Sequence, residues 1–447
     1  MTQKAFILDI NKCTGCQACK ISCSNEHHLA PEHNFRNIFT FNKFRHPDFP
    51  VFHLSIACNH CIEPTCVYAC PAKAIIKDPK TGVVLIDSQK CIGCKYCSWA
   101  CPYDAPHYNY EQNNMEKCNF CEQLIKEGKQ PACINSCPTG ALQIGKFNEK
   151  DKPESPGFPQ RNTIPAISFV SLRKKKFLLV AKSSEISKEQ IEQCYPVQTK
   201  KVKLTSEWPL LIFTFLASVL TGITAAGIFI NIRPYLLWII IAGLGGLLLS
   251  SVHLGKKQIS YRSVLNIKKS WLSREILFFG LFMLFCVLSL ILPASDKIFI
   301  IFASITGFVA LYSIDKIYHV SGFQKQKKIN TLQVCYTGLI FFAALSDIKI
   351  FFLGIIIIRL ILYILRKTST KNQKTYFMVV IRVLLGFLLP ALFILVDYNS
   401  LYILILIFLL IGELIDRFEF YRELEIINPG KQMIVDFTSL LSSGSTL

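Results

Sequence analysis

Sixteen of the nineteen cysteines lie within the first 137 residues, in four groups of four. They are Cys13, Cys16, Cys19 and Cys23; Cys58, Cys61, Cys66 and Cys70; Cys91, Cys94, Cys97 and Cys101; and Cys118, Cys121, Cys133 and Cys137. This pattern fixes a chemistry ahead of a fold. The first and third groups are spaced C-x2-C-x2-C-x3-C, the ligand run of [4Fe–4S] clusters. A proline follows the fourth cysteine in three groups, as Pro71, Pro102 and Pro138, and Ser24 stands there in the first. Zinc is satisfied by two C-x2-C pairs and does not need three cysteines within seven residues. Disulfides need an oxidising compartment, and Met1 to Ile10 reads as a short strand, not a signal peptide. Sixteen thiolates are enough for four clusters, a chain of centres for moving electrons.

In two-cluster ferredoxins the fourth cysteine of each run ligates the other cluster. Groups two and three are separated by twenty residues, about what a ferredoxin repeat requires. The segment AIIKDPKTGVVLID between them predicts strand, turn at Thr81-Gly82, strand. These two groups should form one unit, with groups one and four pairing across it. Crossing the fourth ligands gives four expected sets: Cys13, Cys16, Cys19 with Cys137; Cys58, Cys61, Cys66 with Cys101; Cys91, Cys94, Cys97 with Cys70; and Cys118, Cys121, Cys133 with Cys23. Inside group four, EQLIKEGKQPA predicts a surface excursion with a helical start and a stop at Gly128. The fold class expected for residues 1–160 is α+β ferredoxin-like, two interleaved two-cluster units.

After Glu207 apolar runs of roughly membrane-spanning length alternate with short basic loops. There are about eight: Trp208–Ile230, Leu236–Val252, Ile276–Leu292, Ile298–Ile314, Thr331–Leu345, Ile350–Leu365, Phe377–Val396 and Leu401–Ile415. A soluble helical core would leave amphipathic faces for water, which this many runs do not. Residues 208–447 are therefore expected to be an all-α polytopic membrane domain. The net charge is +19, but residues 1–160 carry 17 Lys+Arg against 15 Asp+Glu, and residues 161–447 carry 32 against 15. The excess sits in the linker and membrane loops, where it reads as orientation and lipid contact, not as a nucleic-acid footprint. Residues 161–207 read as a linker, with short strands at ISFVSL and KFLLVA and a helix from Ser183 to Gln193. Cys194, Cys286 and Cys335 lie outside the groups, and the last two read as small buried hydrophobes.

With both halves read, the chain resembles two subunits of dimethyl sulfoxide reductase joined in one polypeptide. KCTGCQACKISC, LSIACNHCIEPTCVYACP, CIGCKYCSWACPYDAPHYN and CNFCEQLIKEGKQPACINSCPTGAL are similar to its iron–sulfur electron-transfer subunit. EWPLLIFT, HLG at 253–255, SREI at 273–276 and LLIGELIDRFEFY at 409–421 are similar to its membrane anchor. The resemblance implies the same pairing of groups and four [4Fe–4S] clusters, since no tryptophan replaces a cysteine of group three. It implies quinol (menaquinol) as electron donor in the membrane and a molybdopterin catalytic subunit on a separate chain, which reduces dimethyl sulfoxide or a related S- or N-oxide. This chain would not carry out that terminal reduction. Equivalent subunits of polysulfide-, tetrathionate- and formate-type enzymes, some running toward quinone, are the alternative.

His253 ends the second span and Glu275 opens the third. Quinol oxidation releases two protons with two electrons, so a base beside a carboxylate at membrane depth suits it. The resemblance implicates the matching residues in quinol binding. Arg382 in the seventh span needs a partner, and Glu413 and Arg417, one helical turn apart, are expected to pair with each other. By parity the amino terminus and the loop holding His253 and Glu275 lie on one side of the membrane. Loops of that side carry fourteen Lys/Arg, Arg366 and Lys367 among them, against three opposite. The positive-inside rule therefore puts the clusters in the cytoplasm. The resemblance puts them in the periplasm, exported folded on a twin-arginine signal of the partner. Both place the chain in the bacterial inner membrane. A transporter or sensor would instead show paired intramembrane charges or broken helices in repeat-related positions, and neither is clear in the sequence.

Overall fold

The computed structural model describes residues 3–30, 33–148, 154–161, 163–173, 204–320, 332–346, 348–369, 376–395, 402–424 and 426–443. The chain divides into two compact units, Met1–Lys201 with Ile426–Leu447, and Val202–Glu425.

The strands of the first unit are β1 (Lys4–Asp9), β2 (Asn37–Phe41), β3 (Phe52–Ile56), β4 (Ile75–Lys77), β5 (Val84–Ile86), β6 (His107–Asn109), β7 (Asn114–Glu116), β8 (Leu142–Lys146) and β9 (Ile167–Val170). β1 is the middle of a three-stranded sheet, antiparallel to β8 and parallel to β9. The other six strands form three antiparallel hairpins, β2–β3, β4–β5 and β6–β7. This is a ferredoxin-like arrangement of small strands and one- or two-turn helices. The turn foreseen at Thr81-Gly82 joins β4 to β5. There the Asp78 carboxylate accepts the N–H groups of Lys80 and Thr81, and Gly82 takes φ +72°, a conformation glycine adopts without strain. The helix Glu122–Lys126 stops before Gly128 at φ +75°. ISFVSL supplies β9, while KFLLVA and the Ser183–Gln193 helix lie outside the described residues.

The sequence assigns 208–447 to one membrane domain, but the structure gives its last segment to the first unit. The helix Pro429–Ser443 buries Met433 and Phe437 completely. Phe437 meets the rings of Phe41, Phe44 and Phe49 at centroid distances of 5.6–5.7 Å. Asp436 accepts the Gly157 N–H at 2.7 Å. Gly157 has φ +81°, and a side chain there would run into Met433. An aromatic pocket on the β2–β3 hairpin is what holds this amphipathic helix against the first unit.

In the second unit, helices Leu204–Ala226, Arg233–Ser251, Trp271–Ile291 and Pro293–Ile317 are long and apolar enough to cross a membrane. Gln333–Leu345 and Phe377–Phe393 are shorter apolar helices. Lys349–Ser369 and Tyr402–Glu423 run 21 and 22 residues and carry buried charges. Small residues let backbones approach, as expected where lipid gives little hydrophobic drive between helices. A side chain on Gly222 would meet the carbonyl oxygen of Gly338, and Gly386 faces Gly412. Gly386 lies in a π-helical turn, Leu384–Leu388, that interrupts the span expected at Phe377–Val396.

Candidate functional site

The cysteine loops are wound by residues in left-handed backbone conformations. Gly15 and Gln17 (φ +71° and +66°) stand between the cysteines of group one, and Gly93 and Lys95 (+70° and +60°) hold the matching places in group three. Tight winding turns successive thiols toward one point and aims N–H groups inward. A side chain on Gly15 would strike the His53 ring at 2.7 Å, so this loop is closed to any larger residue.

One cavity is lined by Cys13, Cys16, Cys19 and Cys137, with Leu8, Ile38 and Leu142 among its apolar residues. A second is lined by Cys58, Cys61, Cys66 and Cys101. Each takes three thiols from one group and the last thiol of another. The remaining cysteines also have thiol neighbours from more than one group. The thiols that bear most on Cys97 are Cys94, Cys91 and Cys70, followed by Cys66. Those bearing on Cys23 are Cys133 and Cys121, followed by Cys19, and Cys118 faces Cys58, Cys23 and Cys133.

Burial, reinforced by neighbouring thiols, pushes Cys23 up to about 12 and Cys121 up to about 11, and holds Cys61, Cys97 and Cys118 well above the ordinary thiol value. Thiols packed like this ionise only against a cationic centre. Among the described residues no three His, Cys, Asp or Glu side chains converge on a single-ion site, as one zinc held about 2.3 Å from each sulfur would need. Cavities ringed by four thiols fit a polynuclear iron–sulfur group instead.

In the second unit His253 is half-buried just beyond the helix Arg233–Ser251. Glu275 is 3% exposed in the second turn of Trp271–Ile291, and its Oε2 meets no donor among the described residues. The charged group facing it is Arg417. Arg417 donates from Nε to Thr214 Oγ1 at 3.0 Å, and its guanidinium lies 5.0–5.5 Å from the rings of Tyr318, Phe420 and Tyr421. The hydroxyls of Tyr318 and Tyr421 share a 2.5 Å hydrogen bond. The sequence marks His253 and Glu275 but not this Arg–Tyr–Tyr group, because aromatic residues in apolar helices read as packing.

The family described as 4Fe-4S dicluster domain matches residues 49–147, and that described as DMSO reductase anchor subunit matches residues 203–395. The chain is 42% identical over 156 residues to YnfG of Escherichia coli K12, a probable anaerobic dimethyl sulfoxide reductase component, covering 33% of this chain and 76% of that one. The chain belongs to the dimethyl sulfoxide reductase family. It joins an iron–sulfur subunit and an anchor subunit of that family in one polypeptide. A second Escherichia coli K12 relative, a component of anaerobic dimethyl sulfoxide reductase itself, is 41% identical over 159 residues, 34% of this chain and 77% of that one. A tetrathionate reductase subunit of Salmonella typhimurium is 37% identical over 148 residues, 32% of this chain and 58% of that one.

The reductase anchor also holds a buried ionic ladder. Glu413 does not pair with Arg417. It bonds to Arg382, lies 3.6 Å from Arg359, and accepts the Thr337 hydroxyl at 2.5 Å. Asp416 binds Arg359 and Arg366. Glu419 and Glu423 take Lys367 at 2.8 and 2.7 Å, and Tyr363 donates to Glu419 at 2.9 Å. Charges one turn apart on Tyr402–Glu423 turn to other helices, because those helices bring cations of their own that must be neutralised in an apolar setting. Arg366 and Lys367, expected as loop cations, thus sit inside the helix Lys349–Ser369. Buried ion pairs between helices, unclear in the sequence, are therefore present.

Arg382 and Glu413 are both 0% exposed at the side chain. Arg382→Ala leaves a buried carboxylate short of its nearest partner and should destabilise the anchor by about 3–5 kcal/mol. Arg382→Met with Glu413→Gln should regain most of that loss. Unfolding followed by circular dichroism in detergent checks both, and equal stability of the single and double variants would contradict the pairing.

Proposed function

We propose that the membrane unit oxidises quinol and that electrons pass through four [4Fe–4S] clusters to a separate molybdopterin catalytic subunit, which reduces dimethyl sulfoxide or a related S- or N-oxide. The observation that carries this reading is the pairing of thiols across groups. Two cavities each combine three cysteines of one run with the last of another, on a chain that also holds the anchor. On this reading the ligand sets are Cys13, Cys16, Cys19, Cys137; Cys58, Cys61, Cys66, Cys101; Cys91, Cys94, Cys97, Cys70; and Cys118, Cys121, Cys133, Cys23, and the two cavities support the first two. On the same reading two interleaved ferredoxin-like units are followed by about eight membrane spans in the bacterial inner membrane.

When bound, clusters of this kind carry one electron at a time without proton chemistry. The chain's own residues supply the rest. Cysteine loops fix the ligands and exclude water. His253 and Glu275 accept the two quinol protons. Arg417 holds charge opposite Glu275, and the bonded Tyr318–Tyr421 hydroxyls offer a hydrogen-bonding route beside it.

A second reading keeps the same machinery with another terminal partner. Similar proteins include iron–sulfur or electron-transfer relatives named for tetrathionate reductase, sulfite dehydrogenase and formate dehydrogenase. In that reading electrons run toward quinone rather than from quinol.

The test is made on the full chain purified in detergent. It should hold about sixteen iron atoms, and a reduced menaquinone analogue should bleach its visible absorbance without any partner subunit. Zinc, or close to eight iron atoms, removes the four-cluster reading. Bleaching by dithionite alone removes the quinol site.

A further inference from the structure

Arg36 stands just before β2 and is 1% exposed. Its NH1 donates to the backbone oxygen and to the hydroxyl of Ser55, both at 3.1 Å. That hydroxyl lies 3.4 Å from Cys19 Sγ. The guanidinium carbon sits 4.5 Å from the centroid of the Phe6 ring. Nε and NH2 are buried and meet no acceptor among the described residues. The groups that bear on it most strongly are Cys133, Cys19, Cys118 and Cys23, all thiols and no carboxylate.

A guanidinium taken fully out of water, with two nitrogens unbonded and no carboxylate opposite, is costly unless an anion answers it. The thiols around it belong to two different ligand sets. Cys19 is of the set with Cys13, Cys16 and Cys137. Cys118, Cys133 and Cys23 belong to the set with Cys121. Four thiolates make each such site net anionic, and reduction adds one more negative charge. A fixed cation stabilises the reduced state more than the oxidised one, and net charge and hydrogen bonds to sulfur are what set these potentials.

We propose that Arg36 is a positioning residue for electrons: it raises the reduction potentials of the two clusters that flank it. It acts through the cluster sulfurs and touches neither quinol nor the terminal substrate. The third set has a different surrounding. The strongest neighbours of Cys97 are Cys94, Cys91, Cys70 and Cys66, thiols without a cation among them. Arg36 therefore biases electrons away from the Cys70–Cys91–Cys94–Cys97 set and toward the pair it separates. The proposal rests on the ligand sets given under the proposed function.

The experiment is a redox titration of the full chain followed by electron paramagnetic resonance, with iron analysis of each sample. The wild-type iron count tests the ligand sets. The potentials test Arg36. Arg36→Gln should keep the iron content and shift two of the four reduction equilibria toward the oxidised form by about tenfold, about 59 mV for one electron. The other two should not move. Arg36→Lys keeps the charge and should leave all four within a few-fold of wild type. Four unchanged potentials in Arg36→Gln, or an equal shift of all four, overturn the proposal. If Arg36→Gln does not assemble, Arg36→Lys decides: full iron content with near-native potentials supports a requirement for charge, and loss of clusters overturns it.

Discussion

Replacing Cys101 by serine is expected to remove the centre shared with Cys58, Cys61 and Cys66, not the one held by the rest of its own run. Cys97 and Cys101 sit only four residues apart, in the first turn of the short helix Tyr96–Ala100 and just past its end. Cys97 faces Cys94, Cys91 and Cys70, whereas Cys101 lines the cavity of Cys58, Cys61 and Cys66. One helical turn thus feeds two sites. Cys97→Ser and Cys101→Ser should each lower iron from about sixteen atoms to about twelve, and electron delivery to the partner should stop in both. Their paramagnetic spectra should lack different signals, and the double variant should lack both. Loss of the same signal in the two single variants would show that each run keeps its own fourth ligand.

The cysteine groups are legible because iron–sulfur ligation leaves a mark in local spacing. Glycine and aspartate likewise announce the β4–β5 turn and the end of Glu122–Lys126 through their own backbone preferences. What the sequence hides is non-local. Phe437 finds Phe41, Phe44 and Phe49 nearly four hundred residues away, and nothing near Pro429 signals that its helix will leave the membrane unit. Glu413 and Arg417 carry the spacing of a helical ion pair, yet the strongest partners for Glu413 come from Arg382 and Arg359. A spacing rule describes what one helix can do alone. In a bundle where several helices bring charges, the pairing follows which faces meet. Arg36 is hidden for the same reason: a single arginine before a strand reads as surface until the fold closes thiols around it.

His253→Arg should abolish reduction of the clusters by quinol while leaving them assembled and reducible by dithionite, since no cluster ligand lies near it in sequence. Glu275→Gln should behave differently. A carboxylate accepts a proton only when ionised, so its contribution to the wild-type rate grows as pH rises and vanishes as pH falls. The gap between wild type and Glu275→Gln should therefore be widest at high pH, about a hundredfold or more if Glu275 is the general base, and close toward acid. A gap independent of pH would leave Glu275 as packing for Arg417 and nothing more. A purely structural histidine would, when replaced, reduce the amount of assembled protein without changing what each assembled molecule does. Turnover per cluster separates the two cases. His253→Arg protein that turns over at the wild-type rate per cluster takes the quinol site away from this loop, and the Arg417–Tyr318–Tyr421 group would then have to serve it from the other side of Glu275.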